Sequence, residues 1–256
     1  HAFEMLTAEG ATRIAQLIAQ NPHPTRAPET STFNSYEVQH HCKDGSLIWG
    51  EILSTPDYDA QGELIGYHGI TREITQRKRL EEQVNLLAFY DALTHLPNRR
   101  LLEDRLTQAM SASHRSNRFG ALLFLDLDNF KPLNDKHGHG IGDLLLIEVA
   151  ARLKTCVRDA DTAARFGGDE FVVLLCDLSH EIHEATAQAG SIAEKIRQTL
   201  SMPYWLSSSI EHRCTASIGV NLFKGREVSE KALIDAADAA MYLAKEQGRN
   251  NVRFCP

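Results

Sequence analysis

The first third of the chain alternates apolar and polar positions in the way that short β-strands do. Three runs rich in Ile, Tyr, Trp and Thr are separated by turn-forming Asp, Ser, Gln and Gly residues, which predicts an antiparallel meander. The predicted strands cover residues 36–42, 47–53 and 64–75. A helix with Thr7 as its N-cap is predicted before them over residues 7–19, and a proline-rich loop follows it through Pro28.

A polar helical segment then leads into a region of alternating elements. Residues 75–87 contain neither Gly nor Pro and set Leu80, Val84 and Leu87 four and three residues apart, which predicts a connecting helix with coiled-coil spacing. Beyond it, alternating strands and helices indicate an α/β sandwich with helices covering a sheet. Strands are predicted at 121–126, on both sides of the Gly167-Gly168 pair, at 213–223 and at 252–254, and helices at 142–157, 182–200 and 229–247.

Composition limits the function further. The 256 residues include 27 Lys and Arg against 34 Asp and Glu, and the net charge of −7 disfavours nucleic acid and anionic membranes as partners. A phosphate-bearing ligand therefore needs a few local cations or a metal ion. Five widely spaced cysteines indicate neither a zinc site nor a disulfide framework, and no apolar run approaches the roughly 20 residues of a membrane helix. We expect a cytoplasmic chain that begins at His1 as an excerpt of a longer protein, with membrane segments or further domains outside it.

Two acidic segments carry the candidate chemistry. The apolar strand 121–126 ends in Asp126, with Asp128 close behind, at a sheet edge of the kind where open folds bind ligands. The segment Gly167-Gly168-Asp169-Glu170 lies at a predicted hairpin tip, where glycine permits a tight turn. Taken alone, the Gly-Gly-Asp-Glu segment is more typical of a solvated hairpin turn than of a site, and the alternative for the segment at Asp126 is an acidic turn with a helix cap. Together they would place Asp126 and Asp169 in one cluster, which would need a cation such as Mg²⁺ or Mn²⁺.

Five motifs in order along the chain resemble the GGDEF family of diguanylate cyclases. They are DALTHLPNRR at 91–100, FLDLDNFKPLND at 124–135, GHGIGD at 138–143, RFGGDEF at 165–171 and AMYLAKEQGRN at 240–250. His95, where the family often has Gly, and Pro132 are mild departures. The resemblance implies an α+β fold similar to adenylyl cyclase and polymerase palm domains. It also implies that an antiparallel homodimer, with one GTP per domain, condenses two GTP to cyclic di-GMP and two pyrophosphates.

The resemblance implies a metal site and a catalytic group. Asp126, Asp169, the main-chain carbonyl of Leu127 and Glu170 correspond to the ligands of Mg²⁺ or Mn²⁺. Lys131 corresponds to the group that stabilises the pentacoordinate phosphorus. Either Asp169 or Glu170 accepts the proton of the attacking hydroxyl, and the sequence leaves that choice open.

The resemblance also implies how the nucleotide is held. Asn134 and Asp143 correspond to the residues that select guanine, His139 to an organiser of the neighbouring loop, and Lys245 and Arg249 to phosphate contacts. Two alternatives from the residues alone stay open. Asp143 is equally suited to stabilise a helix N-terminus, and the two cations are equally suited to a solvated helix end.

A short motif resembles the product-inhibition site of the family. Arg158 and Asp161 form an Arg-x-x-Asp pattern shortly before the Gly-Gly pair. A guanidinium can bind guanine O6 and N7 together, and a carboxylate can accept a base N–H. The alternative is an ordinary surface ion pair.

The region before the linker resembles the later part of a PAS sensor domain, with its helix, its meander and the closing segment 71–75. The predicted domains are therefore a PAS-like sensor domain at 1–75 that lacks its first strands, a helical linker at 76–90 and a GGDEF domain at 91–256. Trp49, Tyr67 and His68 are as typical of a packed core as of a cofactor cavity, so neither haem nor flavin is predicted.

Two hypotheses follow. The first is a PAS-regulated, Mg²⁺-dependent diguanylate cyclase that acts as a homodimer. The second is a non-catalytic receptor for GTP or cyclic di-GMP within a longer signalling protein. The end of the chain also resembles the junction to an EAL phosphodiesterase domain.

Overall fold

A computed structural model describes residues 6–20, 34–207 and 210–255. The chain divides into two compact units, His1–Asn85 and Leu86–Pro256. The predicted proline-rich loop through Pro28 lies outside the described residues. Among the helices that are described, none is long and apolar enough to cross a membrane.

The described residues of the first unit form a first helix, a three-stranded antiparallel sheet and most of the connecting helix. Helix α1 (Ala8–Gln20) is followed by strands β1 (Asn34–His41), β2 (Leu47–Tyr58) and β3 (Leu64–Glu73), which pair in chain order. The predicted meander is therefore confirmed. The main-chain N–H of Gly10 donates to Thr7 Oγ1 at 3.0 Å, which is the predicted N-cap. The small core of this unit contains Leu6, Ile14, Tyr36 and Val38.

The predicted connecting helix is present as α2 (Thr75–Phe89). Its first turn is held to the sheet of the first unit, because the N–H of Trp49 donates to Thr75 Oγ1 at 3.0 Å and Lys78 Nζ lies 2.6 Å from a carboxylate oxygen of Glu37. None of its side chains is buried. The residues with coiled-coil spacing are all exposed: Leu80, Val84 and Leu87.

The second unit contains five helices and seven strands among its described residues. Its helices are α3 (Arg99–Ser116), α4 (Phe130–His137), α5 (His139–Cys156), α6 (Ile182–Leu200) and α7 (Glu230–Glu246). Its strands are β4 (Gly120–Asp128), β5 (Thr162–Gly167), β6 (Glu170–Leu175), β7 (Tyr204–Ser207), β8 (Ile210–His212), β9 (Thr215–Phe223) and β10 (Val252–Phe254). The helices and strands predicted here are all found, whereas α3, α4 and the β7–β8 hairpin were not predicted.

A five-stranded mixed sheet in the order β10-β9-β4-β6-β5 forms the centre of this unit. Only β9 and β10 are parallel among its described strand pairs. The predicted covering of a sheet by helices is confirmed, and because the sheet is mixed and mainly antiparallel, the fold is α+β, as the family resemblance implied. Every residue of the central strand β4 is buried, because helices cover both faces of the sheet.

The two faces of the sheet have separate cores. Helices α5 and α6 cover one face, and α3 and α7 cover the other. Leu122 and Phe124 of β4 point toward α3 and α7. Because side chains alternate along a strand, Asp126 and Asp128 lie on this same face, at the end of β4.

Candidate active site

Asp126 is the carboxylate at the end of the central strand, and it is 8% exposed. Its Oδ2 lies 2.7 Å from the Nζ of Lys245 on α7, and its strand partner in β6 is Glu170. Burial raises the pKa of Asp126, the carboxylates of Asp169 and Asp128 act in the same direction, and Lys245 opposes them. Asp126 therefore carries a charge that its single ion pair compensates only in part.

The glycine-rich turn brings two further carboxylates to the same place. Gly168 adopts a φ of +53°, which favours glycine, and the N–H of Leu127 donates to the main-chain oxygen of Asp169 at 3.3 Å. Burial raises the pKa of Glu170, and the charges of Asp126, Asp238 and Asp169 add to the effect. The structure thus brings Asp126, Asp169 and Glu170 together at one edge of the sheet.

An arginine clamp fixes the turn to the start of the domain. The Nε and Nη2 of Arg165 donate to the carbonyl oxygen of Gly168 at 3.0 and 2.8 Å, and its Nη1 donates to Asp91 Oδ1 at 3.0 Å. Burial acts to raise the pKa of Asp91, but hydrogen bonds from Thr94 and Arg165 outweigh it and lower the pKa. Asp91 and Arg165 belong to motifs found in the sequence, but the sequence alone assigned no role to either residue.

Asp128 is a second buried carboxylate on this face, but its oxygen atoms are already engaged. They accept hydrogen bonds from Thr215 Oγ1 at 2.6 Å, Ser217 Oγ at 2.7 Å and the N–H of Asn250 at 3.1 Å. Asp128 therefore ties the end of β4 to β9 and to the segment before β10. Sequence reasoning missed this role, because its partners lie 87 to 122 residues away.

The two residues expected to select guanine lie on neighbouring helices. Asn134 is on α4, and its Oδ1 atom is buried without a hydrogen-bond partner in the described part of the chain. A Cβ atom at Gly142 of α5 would overlap this Oδ1 atom, so the amide packs directly against the helix backbone. Asp143 is exposed, and because α5 begins at His139, it lies beyond the first turn of the helix. The alternative of an N-terminal helix carboxylate is therefore not supported.

The remaining nucleotide-side residues are placed as follows. Lys131 is exposed at the start of α4, and Arg249 is exposed just after α7 with a φ of +62°. His139 is the first residue of α5 and does not lie in a loop, and within the described residues its side chain forms no hydrogen bond, so the expected loop contact is not found. Lys245 pairs with Asp126, so the alternative of a solvated helix end does not hold for it.

The Arg-x-x-Asp motif forms a tight turn before β5. Asp161 Oδ2 accepts from the N–H of Arg158 at 3.1 Å, and Asp161 Oδ1 accepts from the N–H of Cys176 at 3.0 Å. The side chain of Arg158 is exposed and takes part in no ion pair with any described residue. The alternative of a surface ion pair is therefore not observed, and the guanidinium faces solvent.

The donor chemistry of the cluster fits a hard divalent cation. Across the described ranges, no three His, Cys, Asp or Glu side chains are already arranged to hold a metal ion. The three side chains at the sheet edge nevertheless supply the oxygen ligands that Mg²⁺ and Mn²⁺ prefer. Burial chiefly raises the pKa values of Asp126 and Glu170, and the neighbouring carboxylates add to the effect, as is common at functional sites.

The mixed sheet, its helical layers and the acidic glycine-rich turn define an α+β domain of the GGDEF type. A family model for the "Diguanylate cyclase, GGDEF domain" matches residues 88–251. The chain belongs to this family of diguanylate cyclase domains.

Named relatives agree with this assignment. The chain is 49% identical over 180 residues to the bifunctional diguanylate cyclase/cyclic di-GMP phosphodiesterase MucR of Pseudomonas aeruginosa, a match that covers 70% of this chain and 25% of MucR. It resembles the solved GGDEF domain of TpbB from the same organism with a TM-score of 0.60 and 38% identity, over 65% of this chain and 94% of that one.

A third similar protein was solved with a nucleotide. The coiled coil and GGDEF domain of DgcB from Caulobacter crescentus, in complex with c-di-GMP, matches with a TM-score of 0.62 and 30% identity. That match covers 71% of this chain and 93% of the DgcB chain. Because the chain spans only a quarter of the length of MucR, the activity and partners of the whole protein are matters of proposal.

Proposed function

We propose that this chain is a diguanylate cyclase that condenses two GTP into cyclic di-GMP and two pyrophosphates. The observation that carries the proposal is the convergence of Asp126, Asp169 and Glu170 beside Lys245, at the end of β4. Each domain of an antiparallel homodimer holds one GTP, so the two halves of the reaction meet only when two sites face each other.

The acidic cluster positions the reacting groups. Asp126, Asp169, the carbonyl of Leu127 and Glu170 would hold Mg²⁺ or Mn²⁺, which supplies neutralisation of phosphate charge and a lower pKa for the attacking 3′-hydroxyl. Asp169 or Glu170 accepts the proton of that hydroxyl. In two reciprocal steps, the 3′-oxygen of each GTP bonds to the α-phosphorus of the other, and each time the bond from that α-phosphorus to the bridging oxygen breaks and releases one pyrophosphate. Lys131 stabilises the pentacoordinate phosphorus with its positive charge.

Asn134, Asp143 and His139 form the guanine side of the proposed site. The carboxylate of Asp143 accepts from guanine N1–H and N2–H₂, donors that adenine does not offer in the same arrangement. The buried Oδ1 of Asn134, which has no partner among the described residues, supports a role in binding the remaining base edge. His139 lies one helical turn before Asp143 and so presents its ring beside the same nucleotide. Lys245 and Arg249 bind the phosphates.

The Arg158 and Asp161 turn is the proposed site of product inhibition. The exposed guanidinium of Arg158 is available to bind guanine O6 and N7 of cyclic di-GMP, and the main-chain hydrogen bonds of Asp161 fix the turn in place. Binding of product there would restrain the domains and slow further synthesis.

The rest of the chain is proposed to regulate this reaction. The proposed domains are a PAS-like sensor at 1–75, a linker at 76–90 and the GGDEF domain at 91–256. The antiparallel meander supports the sensor, and the exposed stripe on α2 supports a parallel pairing of linkers in the homodimer. Five free cysteines and a GTP substrate support a cytoplasmic location, and a neighbouring domain, such as an EAL phosphodiesterase, completes the longer protein.

A product assay tests this function. Purified protein is incubated with GTP and Mg²⁺, and products are identified by mass spectrometry, with Arg158→Ala run in parallel to remove inhibition. We expect cyclic di-GMP and pyrophosphate from both proteins and a longer linear phase from the variant. Tight GTP binding by calorimetry without product from either protein would favour the non-catalytic receptor.

A further inference from the structure

We propose that Lys245 is a resident counter-cation that occupies the metal-binding carboxylate of Asp126 until nucleotide arrives, and that it thereby couples cation binding to nucleotide binding. The inference rests on the proposed function, because it assumes that a divalent cation and a triphosphate bind here. Its starting point is the 2.7 Å contact between Lys245 Nζ and Asp126 Oδ2.

The ion pair between Lys245 and Asp126 is partly buried, which strengthens it, and it is incompatible with a metal ion on Asp126. The side chain of Asp126 is 11% exposed and that of Lys245 is 29% exposed, so water screens the pair only partly. Lys245 is the one cation within ion-pair distance of Asp126 in the part of the chain that the structure describes. A divalent cation bound to Asp126 would lie within a few ångströms of the ammonium, and two positive charges at that distance repel each other strongly. Lys245 must therefore leave Asp126 when a metal ion binds there.

The helix that carries Lys245 cannot make this movement as a body. A Cβ at Gly219 of β9 would overlap the carbonyl oxygen of Ala237 and the N–H of Met241, so α7 rests directly on the strand backbone. At the other end, Asn251 Nδ2 donates to the carbonyl oxygen of Ala244 at 2.9 Å. The backbone next to Lys245 is thus held, and the displacement is a rotation of its flexible four-carbon side chain.

The negative charge of the cluster explains why the exchange depends on nucleotide. Three carboxylates, Asp126, Asp169 and Glu170, face one ammonium, so negative charge is in excess and a cation is attracted. Without nucleotide, however, Lys245 loses its close ion pair when it leaves Asp126. A triphosphate offers Lys245 a new anionic partner, so nucleotide and metal ion each favour binding of the other by the same factor.

Binding of Mn²⁺ measured by electron paramagnetic resonance, without nucleotide, tests the proposal. The proteins are the wild type, Lys245→Met and the control Lys154→Met, which removes a lysine from the last turn of α5 instead of α7. We expect Lys245→Met to bind Mn²⁺ about tenfold tighter than the wild type and Lys154→Met to match the wild type. Addition of a non-hydrolysable α,β-methylene GTP should tighten Mn²⁺ binding to the wild type much more than to Lys245→Met.

Unchanged or weaker Mn²⁺ binding by Lys245→Met, or no binding by any of the three proteins, would overturn the proposal. A merely structural role of Lys245 predicts weaker binding, so the sign of the change separates the two. If Lys245→Met does not fold, the wild type is studied with ¹³C-methylated lysines and assigned with Lys245→Arg. The Lys245 signal should then shift on addition of Mg²⁺ while that of Lys154 stays in place, and a stationary Lys245 signal would contradict the inference.

These outcomes are independent of catalysis. If the wild type makes no cyclic di-GMP but Lys245→Met binds Mn²⁺ tenfold tighter than the wild type, the proposed function is defeated and the counter-cation role of Lys245 stays intact. If the wild type makes cyclic di-GMP but Lys245→Met binds Mn²⁺ no tighter than the wild type, the counter-cation role is defeated and the proposed function stays intact.

Discussion

Buried carboxylates at the end of β4 differ in how their charge is compensated, although they lie only two residues apart. Among the residues that the structure describes, the side chain of Asp128 accepts three hydrogen bonds, from Thr215, Ser217 and the N–H of Asn250, whereas Asp126 has one ion pair, with Lys245. A carboxylate with a full set of donors is a structural anchor, and one with excess charge around it is suited to a cation. Asp128 therefore has a structural role, whereas Asp126 is suited to a chemical one.

The anchoring role of Asp128 predicts a loss of stability on truncation. Asp128→Ala leaves two hydroxyl donors and one N–H without their acceptor, so we expect the free energy of unfolding to fall by about 3 kcal/mol. Urea denaturation measures the change, with Asp235→Ala on the exposed side of α7 as the control. A loss below about 1 kcal/mol for Asp128→Ala, or an equal loss for the control, would contradict the assignment.

The raised pKa of Glu170 predicts that the variant Glu170→Gln is more stable than the wild type, by an amount that depends on pH. A carboxyl whose pKa is higher in the folded protein than its ordinary 4.5 destabilises the fold once the pH rises above that ordinary value, because ionisation is costlier in the folded state. Glu170→Gln removes this cost, so the variant should be more stable than the wild type at pH 7 by up to about 1 kcal/mol, a small value because the side chain is part exposed.

Urea denaturation in EDTA at pH 7 and at pH 4 checks this expectation. The advantage of Glu170→Gln should shrink at pH 4, where the wild-type carboxyl is largely protonated in both states. Equal stability of the two proteins at pH 7, or an advantage that grows toward low pH, would show that the charge of Glu170 is not a burden to the fold.

At the scale of elements, α4 and α5 are joined through Gly138 so that Asn134 lies against the backbone of α5. The contact exists because Gly142 has no side chain, and a Cβ there would overlap Asn134 Oδ1. The packing of α4 against α5, rather than any one loop, therefore holds the side-chain amide of Asn134, which we propose binds guanine.

This packing predicts that alanine substitution at two nearby glycines of α5 affects the KM for GTP differently. Gly142→Ala should displace the Asn134 amide and raise the KM for GTP about tenfold, whereas Gly140→Ala has no atom within 4 Å of its new Cβ and should leave the KM unchanged. Gly140→Ala should also raise stability slightly, because alanine is the better helix former. Steady-state kinetics of both variants checks the prediction, and equal KM values would rule out this packing as the support of the nucleotide site.

The sequence predicted those elements whose periodicity is long or strongly apolar. Helix α6 and strand β10 have the predicted bounds, and β4 differs by one residue at its start and two at its end. Helix α4 has only eight residues, too few for a reliable period, and α3 escaped prediction although Leu102, Leu106 and Met110 recur at four-residue spacing. The predicted hairpin at Gly167-Gly168 is present as β5 and β6, but the other strand pairs of the sheet escaped prediction, because alternation of elements does not determine which strands pair or how.

The chemistry of the site was more predictable than its contacts. The motifs identified the carboxylates and the one lysine, Lys245, that the structure brings together, but the Lys245 to Asp126 and Arg165 to Asp91 pairs join residues far apart in the chain. No local pattern reports such pairs. The expected loop contact of His139 was wrong, because the segment after Gly138 is the first turn of α5.

At the largest scale, the described residues form a three-stranded unit, a linker helix and a cyclase-family domain that carries the acidic site. The reaction that we propose joins two GTP molecules and needs two such sites, so we propose that it is regulated through the pairing of two chains. The unburied, evenly spaced stripe on α2 is the element best suited to that control.

We propose that the acidic edge of the sheet performs the synthesis of cyclic di-GMP. The most direct measurement is the rate of product formation by mass spectrometry from GTP and Mg²⁺, for the wild type and for Asp169→Asn, with circular dichroism to confirm that both are folded. We expect steady product from the wild type and a loss of at least a hundredfold, about 2.7 kcal/mol in activation free energy, in the variant. Wild-type protein that binds GTP but forms no cyclic di-GMP, or a folded Asp169→Asn variant of undiminished rate, would contradict it.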